Sequence, residues 1–419
     1  MDNDMERIVV VGGSVAGART VQALRSGGFA GAVTVVEPEH GEAYDRPPLT
    51  KEYLSGAWSR QDLNLIPGGW ESVGATVIHE AAASLDPGAR QLTLADGSAL
   101  GYDGLVIATG LAPRTLRAED GGPIGHVLGQ ASGSDALRER MADGGEVVVV
   151  GGSFVAAEAA CAARDKGLPV TVVSRSGALL ERSLGAIVGR HITEVHESKG
   201  VRVLGGSQLV AITRDGEAAH VRVANDDNGE ETTLRADILI AGIGSDPNTS
   251  WLNGSGIRVE DGVVTDARCR VLGAKDVYAL GDVARFYDVH FAKPRRVGHW
   301  THAVDQATVV AHNLLNRSSP MGYRPAPYFW IDQYGKKIQI AGEPDPDAHV
   351  DLLTLVGAVP REVAIYSEGD DNECSAVVTF GWPRGMAAAR RLLHLDAKTS
   401  EMIVELEKLA AGPVPVFPV

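Results

Sequence analysis

Short apolar runs that end in glycine punctuate this chain. Residues 9–14 read VVVGGS, and residues 148–153 read VVVGGS again. An alanine-rich segment follows each copy, VAGARTVQALRSGG from Val15 and FVAAEAACAARDKG from Phe154. A second apolar run closes each unit, VTVVEPE at 33–39 and VTVVSRS at 170–176. An apolar run, a glycine turn, a helix and a second apolar run make a βαβ unit of a parallel sheet. The whole unit is repeated, not the hexapeptide alone.

Further apolar runs place the returns of the chain. YDGLVIATG at 102–110 reads as a buried strand ending in a turn, ADILIAGIGSDPN at 236–248 has the same form, and VYALGD at 277–282 is another strand. The chain is expected to cross between two domains near 112–125 and 243–248. From about Gly322 the texture changes. PYFWIDQYGKKIQIAG and SAVVTFGW predict an antiparallel meander, followed by helices near 384–395 and 399–411. The expected fold class is α/β, with two Rossmann-like dinucleotide-binding domains and a smaller C-terminal α+β domain.

Composition narrows the function classes. The 419 residues carry 44% apolar and 22% charged side chains, the balance of an ordinary globular protein of several domains. The 50 glycines fall in clusters after apolar runs, as repeated strand–turn–helix junctions require. A formal net charge of −15 argues against nucleic acid as a partner, since phosphate contacts need a basic surface. No apolar run reaches the roughly 18–20 residues that span a bilayer. The start, MDNDMERIVVVGGS, reads as a first strand and not as a signal peptide, so a cytoplasmic location with no membrane partner is expected. Cys161, Cys269 and Cys374 lie far apart, with no C-x-x-C or C-x4-C pair. A disulfide framework is not expected, and neither is a redox-active thiol pair. No metal site is expected.

Each glycine turn carries the elements of a dinucleotide cradle. In the first, Gly12 permits the tight turn and Gly17 lets the helix pack closely on the sheet, with Ala16 between them in the G-G-S-V-A-G pattern. The helix N-terminus then offers N–H groups and a favourable dipole to a diphosphate. Ser14 stands where the motif normally has its middle glycine, which adds a hydroxyl at the point of closest phosphate approach. Glu37 ends the next strand as the expected ribose-binding acid, with Glu39 just beyond. The second fingerprint is Gly151, Gly152, Ser153, Phe154, Val155 and Ala156. Ser174 and Arg175 occupy the end of its following strand, where a carboxylate would repel a 2′-phosphate. A serine and an arginine there would accept that phosphate, which slightly favours NADPH over NADH. The alternative is that Arg175 is a solvated surface residue and NADH is used without the carboxylate. Two different nucleotide sites in one chain point to hydride transfer from nicotinamide to flavin, with the two rings stacked.

The stretch Tyr44-Asp45-Arg46-Pro47-Pro48-Leu49-Thr50-Lys51 resembles the Y-D-R-P-P-L-S-K segment of the FAD-dependent ferredoxin reductases that serve oxygenases. LVIATG at 105–110, Glu158, AGIGSDPN at 241–248, VYALGDVA at 277–284, HWTHAVDQA at 299–307 and YFWIDQYG at 328–335 agree in order along nearly the whole chain. The resemblance implies a glutathione-reductase-type fold without the disulfide, binding FAD and NADPH or NADH. It implies FAD contacts from Arg46, Lys51, Thr109, Gly110, Asp282 and Trp300. Gly242, Ile243 and Gly244 would line the nicotinamide nucleotide. Lys51 would approach the flavin, paired with Glu158, where a buried ammonium would stabilise negative charge on the reduced ring. Trp330 would stand near the flavin and the ferredoxin-facing surface. Three departures stand out: Gly298 replaces the usual glutamate in RRVGHW, QASGSDA at 130–136 lacks an arginine, and Ser174 replaces an acid.

The domains then fall as 1–112 with 244–321 for FAD, 113–243 for NAD(P)H, and 322–419 at the C-terminus. The implied partner is an acidic iron–sulfur ferredoxin feeding a cytochrome P450 or a Rieske oxygenase, and the chain is expected as a monomer or homodimer. Docking would need a local positive area, for which Lys293, Arg295, Arg296, Lys336, Lys337, Arg390 and Arg391 are candidates. Rubredoxin reductases, monodehydroascorbate reductases and NAD(P)H oxidases share the same core and remain alternatives, separated by the acceptor they use. A redox-dependent interaction protein of the apoptosis-inducing-factor kind ranks lower.

Overall fold

A computed structural model describes residues 5–289, 291–325, 327–369 and 373–412. The chain divides into two units by internal contact. One comprises Met1–Pro48, Trp58–Ala112 and Ser245–Ala326, the other Leu49–Ala57, Pro113–Gly244 and Pro327–Val419.

The first unit is built on a five-stranded parallel sheet, in the order Val277–Ala279, Gly104–Ile107, Arg7–Val11, Ala32–Val36, Ala75–Ile78. Successive side chains of a strand point to opposite faces. Ile8 and Val10 enter one core with Val21, Leu24, Val310 and Leu314, while Val9 and Val11 enter a second with Leu92, Leu105 and Val283. Both faces are covered, which is why the strand is an unbroken apolar run and not an alternating one.

The second unit repeats the plan. Its parallel sheet runs His126–Val127, Ile238–Ala241, Val147–Val150, Val170–Val173, Arg202–Leu204, so each strand occupies the place of its counterpart in the first sheet. Val147 and Val149 face one core, Val148 and Val150 the other. The helix Phe154–Asp165 is alanine-rich because it lies close on this sheet: Ala156, Ala157, Ala159, Ala160 and Ala163 have no exposed surface.

An antiparallel five-stranded sheet completes the second unit, in the order Tyr328–Gln333, Lys336–Gly342, Glu373–Phe380, Arg361–Glu368, His349–Leu355. The expected simple meander is therefore modified, because the last strand inserts beside the second. Ile331, Ile338, Ile340 and Val378 pack one face against Leu184, Val188 and Ile192 of the long helix Glu181–Ser198. Val363, Ile365 and Val377 pack the other against Ala389, Met402 and Leu406. Those three come from the two C-terminal helices, Pro383–Leu393 and Thr399–Ala411. Each such apolar side chain removed from water contributes about 1.5–3 kcal/mol, so both layers are needed to hold the sheet. Among the described residues no helix is long and apolar enough to cross a membrane.

Candidate active site

In the first unit the glycine turn is fixed by steric necessity. Gly12 has φ +107°, and a side chain there would come within 2.3 Å of the Ala108 carbonyl oxygen. A side chain at Gly17 would strike the Gly12 carbonyl oxygen at 1.9 Å. The helix Val15–Ser26 starts at Ser14 with no side-chain cap, leaving its first N–H groups uncapped by any side chain. The Glu37 carboxylate accepts from Gly13 N–H at 2.7 Å and from Glu39 N–H at 2.9 Å, which fixes it across the turn. Arg46 donates from Nε to Ser14 Oγ at 2.9 Å and pairs through Nη2 with Glu39 at 3.1 Å. Amide donors and a guanidinium for a diphosphate, with a carboxylate for ribose hydroxyls, are the donor set a bound FAD requires.

The rest of the expected FAD set is held by neighbours that sequence reading did not single out. Thr109 and Asn248 lock two passes of the chain, Thr109 Oγ1 donating to Asn248 O at 2.8 Å and Asn248 Nδ2 to Thr109 O at 2.9 Å. Gly110, with φ +61°, accepts at its carbonyl from Asn248 N–H at 3.0 Å. Gln306, fully buried, accepts from Gly281 N–H at 2.8 Å and thereby sets the turn that presents Asp282. Gln306 lies in the HWTHAVDQA stretch, but its support of Gly281 depends on a contact that the stretch itself does not express. Burial pushes the Asp282 carboxyl up to about 6, against the pull of Arg296 and Arg46. Gly298 lies where a side chain would begin 3.6 Å from that carboxyl, so a glutamate there would set two carboxylates together. Trp300 opens the helix Trp300–Leu315 and donates from Nε1 to Asp45 Oδ1 at 2.8 Å.

In the second unit, a side chain at Gly151 (φ +123°) would meet the Gly242 carbonyl oxygen at 2.2 Å, and one at Gly242 would meet Ala156 Cβ at 2.5 Å. Ser153 caps the helix Phe154–Asp165 by accepting from Ala156 N–H, and its hydroxyl donates to Gly242 O at 2.9 Å. Phe154 meets Phe329 edge-on at 5.3 Å, Val155 is half-buried beside it, and Ile243 and Gly244 continue the loop from Gly242. Ser174 is buried, its Oγ 2.5 Å from where a Gly152 side chain would start, whereas Arg175 is exposed. The turn bearing them is pinned by Ser207 N–H to Ser174 O at 2.9 Å and Gly206 N–H to Ser176 O at 3.1 Å. This loop too has the glycines, helix terminus and strand-end side chains that fit a dinucleotide.

The same unit holds the lysine and its carboxylate. Lys51 Nζ lies 3.0 Å from Glu158 Oε1, with side-chain exposures of 10% and 5%. Thr50 Oγ1 donates to Glu158 Oε2 at 2.5 Å, and Asp332 N–H donates to Oε1 at 3.0 Å. Burial raises the pKa of Glu158, while Lys51 and Thr50 oppose that shift. The segment carrying Lys51 is tied down by the stretch that lacks the arginine: Ser134 Oγ donates to Leu49 O at 2.9 Å, and Tyr53 OH to Asp135 Oδ1 at 2.6 Å. Trp330 is half-buried on the edge strand two residues from Asp332, 5.9 Å from the Tyr328 ring.

Of the proposed docking cations, the second unit gathers two around these rings: Lys337 Nζ is 4.9 Å from Trp330, and the Arg390 guanidinium 4.4 Å from Tyr328. Lys336 is exposed on the adjoining strand. Arg391 pairs with Glu405 at 3.1 Å. In the first unit Arg295 pairs with Asp288 at 3.1 Å and Arg296 with Asp261 at 3.0 Å, while Lys293 sits 5.7 Å from Phe291.

All three cysteines are buried and free. Burial pushes the Cys161 and Cys374 thiols up to about 12 and raises Cys269 as well. Among the described residues no cluster of His, Cys, Asp and Glu could hold a metal ion.

The sequence pattern of the pyridine nucleotide-disulphide oxidoreductase family matches residues 6–307. The chain belongs to that family. The reductase C-terminal pattern matches residues 328–405 of this oxidoreductase. It is 33% identical over 393 residues to rhodocoxin reductase of Rhodococcus erythropolis, covering 93% of this chain and 90% of the relative. The crystal structure of a ferredoxin reductase from Rhodopseudomonas palustris superposes with a TM-score of 0.87 at 27% identity, covering 97% of this oxidoreductase and 100% of that chain. The covalent putidaredoxin reductase–putidaredoxin complex gives 0.84 at 25%, covering 98% and 99%. The expected fold class and family are therefore borne out, and the oxidoreductase is one whose family uses FAD with a nicotinamide nucleotide. Its own thiols form no disulfide, despite the family's name.

Proposed function

We propose that this oxidoreductase is a ferredoxin reductase, moving electrons from NADPH, in preference to NADH, through FAD to a ferredoxin that serves an oxygenase. One observation carries the reading: two dinucleotide loops lie in one chain whose three thiols are buried and unpaired. A disulfide relay has no thiol pair to run on, and the similar proteins named above are reductases of this type.

FAD, when bound, takes two electrons from the nicotinamide as a hydride and can release them singly. The chain's own residues supply binding, orientation and charge. Gly12, Ser14, Ala16, Gly17, Glu37, Arg46, Thr109, Gly110, Asp282 and Trp300 would hold FAD. Gly151, Gly152, Ser153, Phe154, Val155, Gly242, Ile243 and Gly244 would hold the nicotinamide nucleotide. Lys51, fixed by Glu158, would keep a positive charge in a dry site, where it acts more strongly than in water. The preference for NADPH is supported by the pinned turn that carries exposed Arg175 next to Ser174, which stands where the motif's acid would be. Trp330, Tyr328, Lys337 and Arg390 would form the surface for an acidic iron–sulfur partner.

The test is reduction of cytochrome c with a panel of ferredoxins, driven by NADPH or NADH. Ferredoxin-dependent turnover well above the ferredoxin-free rate is expected. Equal rates without any ferredoxin, with stoichiometric oxygen uptake, would instead assign an oxidase.

A further inference from the structure

The two VVVGGS turns are identical in sequence, and their serines have the same extended backbone: φ −78°, ψ −164° at Ser14 and φ −80°, ψ 172° at Ser153. Their hydroxyls nevertheless have different partners. Ser153 turns inward, capping its own helix at Ala156 N–H and donating to Gly242 O. The oxygen corresponding to Gly242 O beneath the first turn belongs to Ala108, as the clashes of Gly12 and Gly151 show. Ser14 does not cap its own helix with its hydroxyl; it meets that helix through its backbone carbonyl, accepting from Ala18 N–H at 2.9 Å. Its hydroxyl accepts from Arg46 Nε at 2.9 Å.

We infer that Ser14 is a positioning residue that acts through Arg46, setting its guanidinium beside the uncapped start of the helix Val15–Ser26 so that both bind the diphosphate of FAD. The inference rests on the first turn being the FAD site. Arg46 is steadied from the other side by Glu39, 3.1 Å from Nη2, and Glu39 in turn accepts from the Tyr44 hydroxyl. The Arg60 guanidinium lies over the Tyr44 ring at 3.9 Å. A serine fixed on its own helix could not orient this guanidinium, and a glycine would remove the hydroxyl that accepts from Nε. A guanidinium is a planar fork suited to phosphate oxygens, so its orientation matters as much as its charge. The arrangement also separates the two sites by function. The first turn keeps its helix N–H groups open and adds a cation, which suits a cofactor that stays bound. In the second, a dinucleotide must share the helix terminus with the serine cap, which suits a nucleotide that leaves in each cycle.

The experiment measures the dissociation constant of FAD from the apoprotein, by quenching of flavin fluorescence, for the parent, Ser14→Gly, Ser14→Ala, Arg46→Gln and Ser14→Gly/Arg46→Gln. Loss of one hydrogen bond to a charged group predicts that Ser14→Gly and Ser14→Ala each weaken FAD about tenfold. That loss would occur although glycine is the usual residue at this place in the motif. The double variant should bind no more weakly than Arg46→Gln, to within about twofold, because the serine has then lost its partner. Tight binding by Ser14→Gly, or losses that multiply in the double variant, would overturn the proposal. A parent protein that takes up no FAD would overturn the assignment of the first turn itself, and the two failures are thus distinguishable.

Discussion

The ammonium of Lys51 and the carboxylate of Glu158 meet at 3.0 Å in a pocket that also directs Thr50 Oγ1 and Asp332 N–H at the same carboxylate. Three donors thus converge on one buried acid, and the lysine is held with few alternatives. Replacing Lys51 by Ala is expected to slow anaerobic flavin reduction by about ten- to a hundredfold in single-turnover stopped flow. An unaltered rate would remove its assigned role. Glu158→Gln leaves the ammonium buried beside a neutral amide. Breaking a buried pair costs up to about 3–5 kcal/mol, so a lowered unfolding midpoint in urea should accompany the kinetic change.

Arg175 stands exposed on a turn whose backbone is pinned on either side. Arg175→Glu should lower kcat/KM for NADPH relative to NADH by about tenfold or more, the scale of one charge-assisted hydrogen bond lost and a repulsion gained. Steady-state kinetics with both nucleotides measure the ratio. If it does not move, the 2′-phosphate is not read here.

Asp282 makes the FAD-free protein's stability depend on pH in a defined direction. Burial raises its carboxyl from the ordinary 3.8 to about 6. Between those values the folded chain binds more protons at this site than the unfolded chain does, so this contribution falls as pH rises from about 4 to 6 and is constant above. Asp282→Asn should cancel that slope. Thermal unfolding of both proteins across this range checks it. Parallel curves would mean the carboxyl is not perturbed.

The aromatic pair Tyr328–Trp330 carries the exposed Arg390 guanidinium over one ring, a positive charge on an acidic protein, while Lys337 over the other is paired with Asp332 at 3.1 Å. Arg390→Glu should raise KM for a ferredoxin severalfold at low salt while leaving anaerobic reduction of the flavin by NADPH as in the parent. The difference should shrink as salt approaches 0.5 M, because screening shortens the reach of exposed charges to a few ångströms. A salt-independent KM would argue against electrostatic docking at this surface.

Much of the fold was legible because it is periodic and duplicated. The apolar runs from Val9 and Val148 had to be strands covered on both faces, and the glycines after them had to be turns, since only glycine tolerates φ above +100° with a carbonyl oxygen 2.2–2.3 Å from any added side chain. Those are local constraints, and local sequence expresses them. The Y-D-R-P-P-L-T-K segment likewise pointed to Lys51, and the family resemblance to Glu158 as its partner, before any geometry.

What only the tertiary structure decided are the partners of polar side chains, which come from distant stretches of the chain. Thr50 and Asp332 reach Glu158 across 108 and 174 residues, and Gln306 supports Gly281 from a helix 25 residues on. The order of the C-terminal sheet also lay beyond the pattern, because an apolar strand fits beside any neighbour that buries it. The twin serines make the point most directly. Identical hexapeptides gave Ser14 and Ser153 one backbone conformation, but a hydroxyl bonds to whatever donor or acceptor the fold brings within about 3 Å. Arg46 is brought only to the first.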